Sequence, residues 1–77
     1  MKEKYLIFRG YDKIGEAACL DGAKAICREY CEKTGVSFKL KRELSSGTDV
    51  TVLIFQYRTL YLETFVITQG YELEDAV

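Results

Sequence analysis

From Val50 to Thr68 the chain is strand-forming and apolar on both of its alternating sides, and this constrains the fold more than any other feature. Leu53, Phe55 and Tyr57 alternate with Val52 and Ile54, and Tyr61, Phe65 and Ile67 alternate with Leu60, Leu62 and Val66. A strand with one wet side carries large apolar residues at every second position only. Arg58-Thr59 breaks the run into a hairpin, but without the Gly or Asn that would pin the turn, so the register stays open by one residue. Under either register each face keeps several large side chains.

The rest of the chain offers a single helix to cover them. Lys4 to Arg9 reads as a first strand closed by Gly10 to Lys13, and Ile14 to Cys19 as a short second strand or as the approach to the helix. Asp21 is the expected N-cap, since a carboxylate there accepts from first-turn amides and suits the helix dipole. Ala23, Ile26, Cys27, Tyr30 and Cys31 then form one apolar stripe, and Gly35 stands where a left-handed cap ends the helix, predicting a helix over about Asp21 to Thr34. Val36 to Lys41 alternates apolar and polar, placing Ser37, Lys39 and Lys41 on the wet side of a strand, and Leu44 to Asp49 reads as a turn into Val50 to Tyr57. Gln69-Gly70 closes the last strand, leaving Tyr71 to Val77 as an acidic tail expected to fray.

The expected architecture is an α+β, two-layer fold, an antiparallel sheet of four or five strands with one helix on one face, in the order β-(β)-α-β-β-β. With 77 residues there is room for one core, so residues 1–77 read as a single domain. A helix of this size is about 21 Å long and 10 Å wide, against a sheet about 19–24 Å across, so it covers part of one face only. A bare apolar face of this kind marks a docking surface for another protein or for a second copy in a homodimer.

Composition narrows the chemistry. The chain has 48% hydrophobic and 30% charged residues and a net charge of −1, and it contains neither histidine nor tryptophan. The commonest general base and neutral metal ligand are therefore missing. Cys19, Cys27 and Cys31 are odd in number and lack the spacing of a disulfide framework or a four-ligand zinc site, so they read as reduced thiols, two of them on the apolar helix stripe. Glu29 with Glu32, and Glu72, Glu74 and Asp75, fall on surfaces that read as solvated. The expectation is a non-catalytic protein without metal or cofactor. No apolar run reaches the length of a membrane span, and the four apolar residues before Arg9 do not make a signal peptide, so the expected location is the cytoplasm.

The residues expected to bind a partner are Lys39, Lys41, Ile54, Tyr57, Arg58, Tyr61 and Leu62. They combine the apolar hairpin with six tyrosines' worth of contact-forming rings in the chain and nearby cations. An alternative is a nucleic-acid-binding sheet, with Lys39 and Lys41 beside Tyr57 or Tyr61, although no segment carries a strong basic excess. A small structural or assembly protein is the third reading.

The stretch Ala18-Cys19-Leu20-Asp21-Gly22-Ala23-Lys24-Ala25-Ile26-Cys27-Arg28-Glu29-Tyr30 runs from a strand end into a capped helix, between an N-terminal strand and a β meander. In this layout the chain resembles small phage-encoded proteins, among them anti-CRISPR inhibitors. The resemblance implies a non-catalytic inhibitor that blocks a host defence complex by surface complementarity, with Lys39 and Lys41 as the places where such blocking would involve lysines.

Overall fold

The structure, a computed structural model, describes residues 2–47, 49–59 and 61–72, with side chains for 3–47, 49–59 and 61–70. Six elements follow one another: β1 (Lys2–Arg9), β2 (Asp12–Ala17), α1 (Leu20–Lys33), β3 (Lys39–Ser46), β4 (Val50–Tyr57) and β5 (Tyr61–Glu72). The five strands form one antiparallel sheet in the order β2-β1-β5-β4-β3. This is the expected α+β fold, with β3, β4 and β5 as the meander and the β1–β2 hairpin joined to its β5 edge.

Several boundaries differ from the sequence reading. The second strand is present but begins at Asp12, because the β1–β2 turn needs only Gly10 and Tyr11: Arg9 lies opposite Asp12, and Gly10 supplies a φ of +64° that suits a two-residue hairpin loop. Asp21 is not the N-cap. Cys19 is, in an extended conformation, with its carbonyl accepting from the Ala23 amide at 3.1 Å and its thiol accepting from the Gly22 amide at 3.4 Å. Asp21 instead lies in the first turn, where its charge still suits the dipole. The helix ends as expected, with Thr34 as C-cap and Gly35 at φ +77°.

The largest shift is in β3. Val36 to Phe38 precede the strand, while Leu44 to Ser46, read as turn, are paired within it opposite Val52 to Val50. The Phe38 ring anchors this linker by packing against the core, so its alternation reflects burial without strand pairing. At the other end β5 continues through Tyr71 and Glu72, which pair with Glu3 and Lys2, so these two residues belong to the strand and not to the expected tail. Residues 73–77 lie outside the described residues.

Register places the core. Val52 faces Val66 and Leu53 faces Phe65, which settles the open hairpin register and sends Leu53, Phe55, Phe65 and Ile67 to one side. Ile7 of β1 joins them opposite Ile67, and Ala23, Cys27 and Cys31 of α1 close the layer from above. Phe65 meets the Tyr30 and Phe55 rings edge-on at 5.6 and 5.7 Å. Each such fully buried large side chain contributes about 1.5–3 kcal/mol of burial free energy. Gly15 permits the helix to lie close over β2, since a Cβ there would stand 3.2 Å from Ile26 Cγ2. The helix contacts β2, β1 and β5, leaving β3 exposed along its whole length.

Candidate functional site

Because strand residues alternate, every core residue implies a neighbour on the far side of the sheet. The far side is therefore set by the same register. Its central row runs across all five strands as Lys13, Phe8, Val66, Val52 and Leu44. Beside it lie Glu16, Leu6, Thr68, Val50 and Ser46, and on the other flank Thr64, Ile54 and Arg42. A last row holds Leu62, Gln56 and Lys39. Phe8, Val66, Val52 and Ile54 are half-buried by one another, whereas Leu44 and Leu62 are 47% and 56% exposed. The helix lies on the opposite side, and no described element packs over this face.

Charge on the face is uneven. Lys4 and Lys13 both pair with Glu16, the former at 3.0 Å, and these two partners, Lys13 foremost, hold the Glu16 carboxyl below its ordinary range. Arg42 and Lys39 stand at the β3 edge, where they meet no carboxylate among the described residues. The acidic residues of the same strands point the other way: Glu43 to Lys24 at 3.0 Å, and Glu63 to Arg9, whose guanidinium it raises further above its ordinary pKa.

The residues expected to bind a partner do gather at one end of the sheet, where β3 starts and β4 turns into β5, but they divide between its faces. Ile54, Leu62 and Lys39 belong to the open face. Tyr57 and Tyr61 lie on the helix side, their rings 6.3 Å apart, with Phe38 6.1 Å from Tyr57 and the Arg58 guanidinium 5.2 Å from the Tyr57 centroid. Arg58 has a φ of +55°, so the hairpin uses a left-handed arginine at a conformation that Gly or Asn adopts more readily. Lys41 is the extra residue of a bulge between Leu40 and Arg42 on the exposed edge. Strand alternation thus turns Lys39 and the Tyr57 and Tyr61 rings to opposite sides of the sheet.

On the helix side, a groove of about 470 Å³ opens between the end of α1 and the start of β3, with Phe55, Phe38, Leu40 and Cys31 around it and Arg28 and Glu32 at its rim. Cys27 and Cys31 are buried, and burial pushes both thiols up to about 11, so they are protonated at neutral pH. Cys19 stands apart from them at the helix start, and all three thiols are free. Among the described residues no three His, Cys, Asp or Glu side chains converge as metal ligands would.

Sequence reading missed Leu6, Phe8, Leu44, Lys4 and Lys13 as members of the open face, and left open which side of the hairpin Val66 takes. For the β1 and β2 residues the missing signal is the pairing of β1 with β5, which joins opposite ends of the chain and leaves no local pattern, and for Leu44 it is the bulge at Lys41. No protein-family model, curated protein or solved structure matches this chain. Among the described residues no helix is long and apolar enough to cross a membrane.

Proposed function

We propose that the protein is a non-catalytic binding module that docks a protein partner on the open face of its sheet. The observation that carries this reading is the row Phe8, Val66, Val52 and Leu44, four apolar side chains side by side across four strands with no described layer above them. Surfaces of that kind on small domains mark association. Ile54 and Leu62 extend the row toward the β4–β5 turn, where Tyr57, Tyr61 and Arg58 add rings and a cation at the sheet's end. If the resemblance to anti-CRISPR proteins holds, the partner is a subunit of a host defence complex in the cytoplasm and the activity is stoichiometric inhibition.

The test is capture from a bacterial extract, before and after nuclease treatment, on the immobilised protein, compared with the Val52→Lys/Val66→Lys variant. One protein retained in stoichiometric amount by the original chain, and lost by a variant with an unchanged circular dichroism spectrum, is the expected result. Equal capture by both chains, or capture that disappears with nuclease treatment, overturns the reading.

A further inference from the structure

We propose that the partner of the open face is an acidic protein surface, one in which an apolar strip is flanked by carboxylates. This deepens the reading above and rests on it. The chain as a whole carries a net charge of −1, yet among the described side chains the open face presents Lys4, Lys13, Lys39 and Arg42 with the carboxylate of Glu16, which Lys4 and Lys13 share. Strand alternation produces this segregation: Glu43 and Glu63 fall on the helix side and are held there by Lys24 and Arg9. The cations occupy two separate borders of the apolar rows. Lys4 and Lys13 lie at the β1–β2 border, and Arg42 and Lys39 at the β3 border, about 15–20 Å away across the strands.

The arrangement discriminates between occupants. A second copy placed face to face requires a twofold axis in the plane of contact, and whether that axis runs along or across the strands it brings two cationic faces together. Like charges so placed oppose self-pairing. Single-stranded nucleic acid gains from aromatic platforms beside its phosphate contacts, and here Phe8 is the one aromatic side chain among the described residues of the face, since Tyr57 and Tyr61 lie on the other side. A protein with carboxylates around an apolar strip satisfies both borders and the centre. The face measures about 19 by 23 Å, so such a contact buries on the order of 900 Å² in total, the size of a transient encounter. Binding of that kind weakens with salt.

The test is a titration of the isotope-labelled protein, followed by amide chemical shifts, with three probes: a short peptide alternating leucine and glutamate, the same peptide with lysine replacing glutamate, and a thymidine oligonucleotide. The expected result is a response along Phe8, Val66, Val52 and Ile54 to the glutamate peptide alone. It should weaken by about tenfold in Lys39→Glu/Arg42→Glu, an exposed pair whose replacement leaves the core intact. Equal response to both peptides overturns the acidic partner while leaving the docking face standing, and a response to no probe overturns both. Tighter binding of the oligonucleotide assigns the face to nucleic acid. Shifts that appear on concentrating the protein alone assign it to a second copy, and shifts released by removing residues 73–77 assign it to the chain's own end; each of these also overturns the proposal.

Discussion

Cys27 and Cys31 show how far a residue's chemistry depends on what surrounds it. In the sequence they are two thiols one helical turn apart, and in the fold both are sealed between α1 and the sheet, where desolvation favours the neutral form. Cysteine there acts as a small apolar side chain. The raised value has a definite sign in stability. The unfolded chain releases these protons near pH 9 and the folded chain near pH 11, so the contribution is whole below pH 9 and is lost as pH climbs from about 9 to about 11. Guanidinium unfolding at about pH 8 and about pH 10.5 should therefore show a lower midpoint at the higher pH. In Cys27→Ala/Cys31→Ala that difference should shrink. Cys19, exposed at the N-cap, should be alkylated first in the original chain.

At the level of elements, legibility followed how local the determining physics is. The bounds of β4 were read correctly because eight consecutive β-forming residues leave no competing reading. The helix was read to within a residue at each end, its stripe and Gly35 being local signals, while the cap was assigned to the wrong residue because a thiol ranks low among capping groups. β3 was displaced for another reason. The alternation of Val36 to Lys41 is real, but Phe38 satisfies it by packing on the core and on Tyr57 before the strand begins. The bulge at Lys41 then shifts every later residue of β3 by one, which turns Arg42 and Leu44 outward. Bulges and lysines on an exposed strand discourage edge-to-edge pairing. Deleting Lys41 should restore a regular ladder from Leu40 through Arg42 and keep the fold, while sedimentation at rising concentration shows more self-association than the original chain. An unchanged monomer fraction would remove the protective role from the bulge.

Across the whole molecule the two sides of the sheet should respond differently to substitution. Phe65→Ala opens a void between the Tyr30 and Phe55 rings and should cost about 3–5 kcal/mol, whereas Val52→Thr on the open face should cost about 1 kcal/mol or less. Comparable losses at the two positions, measured by denaturant unfolding, would mean that the open face is covered in the free protein. The amino-acid sequence alone determined that the chain holds one helix and a β meander, and that both sides of the last hairpin are apolar, because strand alternation and helical periodicity are properties of neighbouring residues. Tertiary structure alone decided which of those sides is sheltered. β1 reaches β5 from the other end of the chain, α1 settles over β2, β1 and β5, and only those long-range contacts assign Phe65 to the interior and Val66 to the open face.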